Sequence, residues 1–395
     1  MTGPGHPALG LTEDNAQLLL DPAAAATVPW ASAAGPFQLA RRELTALHPG
    51  YIRLLVDWAA LQPQAGRPAD FAARAGGCAR TVGPCASYPG LSGELAAIAS
   101  QQSARRAAGQ AGPEVLIDVL GTPPWASSPA SGCELPGAAA ARALAPGAIP
   151  GYRRLIAGVL SVARTEGARV RWWSPWNEPN DGLFLTPQRA LCEPSSAPVS
   201  VAVYAELARA MAGVLGRDAP QDSIVLGELN GQAPDSAHST SAASFVAALP
   251  ADVLCLGPVW SLHAYAPYGR GSSGGEPVAA LEQALSRRRG CVAGAPLWIT
   301  ETGAGAPHPG APLTGSPAGE LDACRALAAD LRGWLSDPRV AAVFQYTFRD
   351  DPAYPVGVVS ADLRRVHPSY SLWLSLSGET AGLDPSAAAP SSCHG

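Results

Sequence analysis

Two tracts of this sequence end an apolar run with a glutamate, a placement suited to acid, base or nucleophile chemistry. The first, Arg171-Trp-Trp-Ser-Pro-Trp-Asn-Glu-Pro-Asn180, delivers Glu178. The second, Leu297-Trp-Ile-Thr-Glu-Thr-Gly303, delivers Glu301. Two carboxyls reaching one mouth from different strands could flank a glycosidic bond, the arrangement that bond's cleavage requires. Asp57, Asp118, Glu228, Asp350 and Asp351 also end or follow apolar runs, and they read as structural or substrate-binding acids rather than catalytic ones. No histidines are spaced as in HExxH and no cysteines as in CxxC, so neither a metal nor a cofactor is expected. The tract GRGSSGG at 269–275 lacks the Lys-Ser/Thr ending of a phosphate loop and reads as a plain loop.

Elements that would position these residues recur along the chain. Eight short apolar runs read as strands: Ala8–Leu11, Tyr51–Val56, Val115–Leu120, Val170–Ser174, Ser223–Leu226, Val259–His263, Leu297–Thr300 and Ala341–Tyr346. Helical patterns lie near Leu39–Ala46, Gly93–Ala108, Tyr152–Thr165, Val201–Leu215, Ser241–Leu249, Pro277–Arg288, Gly319–Ser336 and His367–Leu376. This alternation predicts a (β/α)8 TIM barrel, an α/β fold whose chemistry sits in the loops after the strands. Residues 1–378 read as one barrel domain with long βα loops, the longest at Ala126–Pro150 and Gly303–Pro317. Residues 379–395 read as a tail tied down by Cys393.

With 395 residues, the chain is long enough for one such barrel. Its 27 basic residues are all arginine and stand against 32 acidic ones, for a formal charge of -5, which argues against nucleic acid as a partner. No stretch reads as apolar for long enough to span a bilayer, so no membrane association is expected. Eight cysteines point to an oxidising compartment, hence to a secreted protein, although MTGPGHPALG lacks the layout of a signal peptide. Cys78 with Cys85, Cys133 with Cys192, and Cys255 with Cys291 are the pairings the segment positions suggest. A monomer is expected.

The strand-end residues resemble the retaining (β/α)8 glycoside hydrolases of clan A. The tract WNEPN and the segment TPPWAS with Trp125 are most similar to family 39, and Asn-Glu-Pro also occurs in family 5. The resemblance covers residues 9–375 in scattered strand ends. It implies that Glu178 is the acid/base and Glu301 the nucleophile, that Arg53 holds the nucleophile carboxylate, and that Asn177 binds the sugar 2-hydroxyl. It also matches His263-Ala-Tyr265 to a His-x-Tyr ending strand six. A lone strand-end histidine is commonly a core residue, and it is the neighbouring Tyr265 that makes His263 a site candidate. The chain departs from the clan at strand eight, where Phe344-Gln-Tyr-Thr-Phe-Arg-Asp-Asp351 carries no tryptophan, so Tyr346 or Phe348 must supply the stacking surface.

The implied activity is hydrolysis of a β-glycosidic bond through a covalent glycosyl-enzyme, with a carbohydrate or glycoconjugate as partner. An exo-acting β-xylosidase- or β-glucosidase-like enzyme is the principal expectation. An endo-glycanase and an α-L-arabinofuranosidase are its variants, and a catalytically silent sugar-binding barrel is the alternative of another class. Retention requires the carboxyls about 5 to 5.5 Å apart, whereas inversion requires more than about 6.5 Å. Trp58, Trp125, Trp173, Trp176, Trp260 and Trp298 lie near strand ends where an indole could stack on sugar. Asn230, Tyr346, Phe348, Arg349 and Asp350 complete the expected substrate-binding set.

Overall fold

The computed structural model describes residues 8–12, 36–73, 89–267, 275–288, 290–306, 316–351, 354–377 and 385–394. Eight parallel strands form a closed barrel: β1 (Ala8–Thr12), β2 (Tyr51–Asp57), β3 (Glu114–Leu120), β4 (Val170–Ser174), β5 (Ser223–Asn230), β6 (Val259–His263), β7 (Leu297–Thr302) and β8 (Val340–Tyr346). They pair in sequence order, and β1 closes the ring against β8 with Gly10 opposite Phe344. The surrounding helices are α1 (Pro36–Leu47), α2 (Gly90–Ala107), α3 (Ile149–Glu166), α4 (Val199–Asp218), α5 (Ala242–Ala248), α6 (Gly275–Ser286), α7 (Pro317–Leu335) and α8 (Pro368–Leu376). The expected (β/α)8 barrel is the observed fold.

Local chemistry fixes where several helices begin and end. Ser241 and Ser316 cap α5 and α7 by accepting from Ser244 N and Gly319 N. Pro317 and Pro368 occupy first-turn positions that need no N–H donor, and Gly167 ends α3 at φ 77°. Helix α4 is 20 residues long and apolar enough to cross a membrane by length and composition, contrary to the sequence expectation. It lies in the helix ring, with Val201, Tyr204, Leu207 and Met211 buried and Glu206 and Arg209 exposed.

Side-chain alternation splits the core in two. Ile52, Leu54, Ile117, Trp173, Leu226, Trp260, Leu262 and Ile299 point outward into the apolar layer beneath the helices. Leu116, Val225, Val259, Trp298, Ala342 and Phe344 point inward with Tyr51 and Trp172 to fill the barrel's lower interior. Tyr51, Trp172 and Phe344 all pack around Trp298, at centroid distances of 4.9, 4.7 and 5.8 Å. Gly10 is obligatory there, because a Cβ at that position would stand 2.3 Å from Phe344 Cδ1.

Strand β5 runs four residues beyond the expected Leu226. A register shift against β6 accommodates Gly227 and Glu228 at positive φ, 107° and 51°. Three disulfides join Cys133 to Cys192, Cys255 to Cys291 and Cys324 to Cys393, with Cα separations of 5.4, 5.8 and 5.9 Å. The first two are expected pairings, and all three fit a chain matured in an oxidising compartment. Cys78 and Cys85, the 269–274 glycine tract and most of the loop after β7 lie outside the described residues. The C-terminal segment packs on α7 through Cys324–Cys393 and through Arg332, which donates to Ala388 O at 2.8 Å.

Candidate active site

Above the aromatic plug the barrel interior turns polar, and a single arginine organises it. Arg53 is fully buried on β2, and it ion-pairs with three carboxylates: Asp118 from β3 at 2.6 Å, Glu228 from β5 at 2.8 Å and Glu301 from β7 at 2.7 Å. Its Nη2 also donates to Asn177 Oδ1 at 2.7 Å. An unpaired guanidinium at this depth would carry a large desolvation cost, so the three acids and the arginine stand or fall together. Tyr265 donates to Glu301 Oε2 at 2.6 Å, and both oxygens of Glu301 are thereby engaged.

Glu178 follows β4 on a short loop held at several points. Asn177 N donates to Val119 O, Glu178 N donates to Glu228 O, and the side chain of Asn180 bridges Asn230 and Thr240. Glu178 adopts φ 39°, which a non-glycine residue holds only where its surroundings enforce it. His263, at the end of β6, joins the two halves of the site. Its Nδ1 lies 2.7 Å from Glu178 Oε1 and 3.5 Å from Glu301 Oε2, and its Nε2 lies 3.1 Å from Glu228 Oε2. The side chains of Glu178 and Glu301 keep 12% and 9% of their surface exposed, so both reach the mouth, whereas Arg53 and Glu228 have none.

Burial and charge set different protonation states on these acids. Burial pushes Glu178 up to about 7, against His263, whose hydrogen bond and charge pull it down; the charge of Glu301 adds a smaller push upward. Desolvation, not the like charge of Glu301, is the leading influence on Glu178. Burial also opposes charge on Glu228, yet Arg53 and then His263 bring it down to about 2. Burial drives Asp118 well above the usual carboxylate range despite Arg53. Burial disfavours charge on His263 as well, but the carboxylates of Glu301, Glu178 and Glu228 outweigh it and raise the ring to about 10. Burial and the charge of Glu301 raise Tyr265, which keeps it a hydroxyl donor.

One atom each from Glu178, His263 and Glu301 falls within 4.8 Å of the other two, a set that by residue type could hold a divalent cation. The same three residues engage one another directly, His263 Nδ1 lying 2.7 Å from Glu178 Oε1 and 3.5 Å from Glu301 Oε2.

The structure thus brings Arg53, Asn177, Glu178, His263, Tyr265 and Glu301 to one place. Tyr346 joins them at the edge: it is half-buried and stands 6.4 Å from the Tyr265 ring. Other expected residues lie elsewhere. Trp58 is fully enclosed, with Nε1 bonded to Gln62 Oε1, and Phe348 is fully enclosed in the main core, so neither offers a ring to sugar. Trp173, Trp176 and Trp260 are equally enclosed, and Trp298 belongs to the barrel plug. Asn230 spends its amide on Asp181 and Gln232 N. Arg349 donates to Ala361 O, and Asp350 ties Gly357 N to His367. Trp125 is half-buried and lines a separate groove with Gln62, Arg67, Phe71 and Arg154.

Three further residues belong to the site. Asp118 and Glu228 were read as strand-end acids; parity turns Asp118 inward, two residues beyond the inward-facing Leu116, whereas Glu228, two residues beyond the outward-facing Leu226, is brought inward by the register shift between Leu226 and Leu229. Tyr354 packs on Tyr265 at 5.2 Å and on Tyr346 at 6.1 Å, and nothing in its sequence context marked it.

No protein-family model and no curated protein matches this chain. Solved structures do. SrfJ from Salmonella typhimurium is similar over 94% of this chain and 74% of its own, with a TM-score of 0.60 and 10% identity. A family 39 glycoside hydrolase from the gut symbiont Bacteroides cellulosilyticus WH2 is similar over 94% of this chain, with a TM-score of 0.53 and 14% identity. This chain covers 63% of it, a little under two thirds of its length. The GH53 catalytic domain of Ignisphaera aggregans is similar over 84% of this chain and 86% of its own, with a TM-score of 0.51 and 19% identity. At such identities the likeness establishes the barrel fold. Glycoside hydrolases of families 39, 53, 5 and 2 all share it with this chain, so the wider clan-type fold is supported and family 39 is not singled out.

Proposed function

We propose that this protein is a retaining glycoside hydrolase that cleaves a β-glycosidic bond by double displacement. The observation that carries the reading is the convergence of Glu178 and Glu301, from different strands, with carboxylate oxygens within 4.8 Å of each other. An upper bound of 4.8 Å between the nearest oxygens favours the short carboxyl gap of about 5 to 5.5 Å used for retention over the gap above about 6.5 Å used for inversion.

In the first step Glu301, aligned by Arg53 and Tyr265, attacks the anomeric carbon. The bond to the leaving oxygen breaks, and that oxygen takes the proton of Glu178. An acid poised near neutrality can be protonated at the start and still release its proton when the bond weakens, which is the use of a carboxyl pushed up to about 7. In the second step the Glu178 carboxylate draws a proton from water, which attacks the same carbon and frees Glu301. With its oxygen held by Arg53, Asn177 has its amide NH2 available for a sugar hydroxyl, and Tyr346 and Tyr354 form an aromatic wall beside Tyr265.

The substrate is read as a carbohydrate or glycoconjugate attacked from one end, as a β-xylosidase or β-glucosidase would do, by a secreted monomer. The disulfide between the loops after β3 and β4 supports both the oxidising destination and a walled mouth.

A panel of chromogenic glycosides tests the proposal. Wild type should turn over at least one, Glu301→Gln should abolish turnover, and azide should rescue Glu178→Ala on substrates with good leaving groups. NMR of the first-formed sugar should show the β anomer. Unchanged rates in both variants would sink the enzyme reading, and a first-formed α anomer would sink retention.

A further inference from the structure

The groove beside Trp125 is built from the loops after β2 and β3 together with helix α3, and none of the residues around Arg53 lines it. Its walls come from Gln62, Gly66–Ala69 and Phe71 after β2, Trp125 after β3, and Arg154, Leu155 and Gly158 of α3, and they enclose about 450 Å³. That volume is within the range that holds small ligands, of roughly 300 to 1,000 Å³.

The walls are tied together internally. Gln62 accepts from Trp58 Nε1 at 2.9 Å, donates to Arg67 O at 2.5 Å, and takes the Trp125 Nε1 proton on its backbone oxygen at 2.8 Å. One residue therefore fixes both the Arg67 turn and the Trp125 indole. Phe71 lies directly on the backbone of α3, since a Cβ at Gly158 would stand 2.7 Å from its Cζ. The half-buried aromatics Trp125 and Phe71 thus border a groove whose shape is set in advance.

Charge gives the groove its character. Arg67 and Arg154 both line it and are exposed, and among the described residues neither forms an ion pair. Among the described residues no aspartate or glutamate is in its lining, the exposed Asp70 between Ala69 and Phe71 accepting from Ala72 N instead, although the chain as a whole carries a formal charge of -5. Indole and phenyl faces suit the C–H faces of sugar rings, and guanidinium groups suit carboxylate or sulfate in charge-assisted hydrogen bonds.

We infer that this groove is a second carbohydrate subsite, which holds an acidic segment of an oligosaccharide on the rim beside the catalytic mouth. The inference deepens the hydrolase reading by naming the class of glycan, and it rests on that reading for the catalytic half only.

Calorimetric titration of the full chain carrying Glu301→Gln tests it, with oligogalacturonate, a sulfated chondroitin oligosaccharide and a neutral xylo-oligosaccharide as probes. At least one acidic probe should bind more tightly than the neutral one, and added salt should weaken it. Reversing both charges, Arg67→Glu with Arg154→Glu, should weaken acidic binding about tenfold or more. The same double variant with Glu301 intact should turn over a chromogenic monosaccharide glycoside like wild type. The preferred acidic probe identifies the anion as carboxylate or sulfate. Equal binding of the neutral probe, indifference to charge reversal, or no saturable binding of either acidic probe would overturn the inference. Loss of the groove result with chromogenic turnover intact refutes the subsite alone. Groove binding without any turnover leaves the subsite standing and refutes the hydrolase reading.

Discussion

His263 offers the sharpest test of how the site sets the proton affinity of Glu178. Its Nδ1 lies 2.7 Å from Glu178 Oε1, and its positive charge is among the forces holding that carboxyl down against burial. Replacing it by glutamine keeps an amide donor in reach but removes the charge. The amide bond to the ionised carboxyl still involves a charged group, so what the substitution removes is the attraction of the imidazolium, for which we take a cost to the ionised form of Glu178 of about 1.4 kcal/mol. That corresponds to roughly one pH unit. The neighbouring carboxylates, no longer offset by the imidazolium, push in the same direction. Since the first step needs Glu178 protonated, kcat/KM for a glycoside with a poor leaving group should fall as pH rises through about 7 in wild type. In His263→Gln the fall should come near about pH 8. The assay is a pH–rate profile from about pH 5 to about pH 9, with near-UV circular dichroism to confirm the fold. An alkaline limb that stays in place or moves to lower pH would refute the account of Glu178.

Removing the shared cation should be costly: Arg53→Met leaves Asp118, Glu228 and Glu301 buried without their partner. We expect a loss of about 3–5 kcal/mol in denaturant unfolding, and a loss below about 1 kcal/mol would show that the acids relax by themselves. Gly10→Ala should destabilise by about 1–3 kcal/mol through the clash with Phe344, and Phe344→Leu in the same chain should recover part of it; additive losses would place the strain elsewhere. Stability should also vary with pH on both sides. His263 is raised from 6.5 to about 10, so its contribution is complete below about pH 6.5 and is lost as pH rises through 10; Glu228 is lowered from 4.5 to about 2, so its contribution is present above 4.5 and lost as pH falls toward 2. Denaturation midpoints measured across that range should decline at both ends, and a flat profile would contradict the burial of these two groups.

Strand and helix positions were legible because buried parallel strands are short apolar runs and amphipathic helices repeat at their own period. The boundary errors have physical causes. Strand β5 was cut short at Leu226 because Gly227 and Glu228 look like a turn, whereas Glu228 is kept in the barrel wall by its ion pair with Arg53. Glu178, Glu301, Arg53, Asn177, His263 and Tyr265 could be nominated from strand ends and family likeness. What sequence spacing could not convey was which aromatic side chains face outward: Trp58, Trp173, Trp176 and Trp260 end up under the helices. Tyr354 lies in a loop with no period to read, and its place beside Tyr265 is set by the tertiary fold alone.

The aromatic stopper made by Tyr51, Trp172, Trp298 and Phe344 has a consequence for traffic. With the lower interior filled by these rings, a departing alcohol and an arriving nucleophile of the proposed reaction would both pass the upper mouth where Glu178 lies. On the mechanism proposed above, an alcohol that lingers in that mouth would compete with water for a sugar held on Glu301.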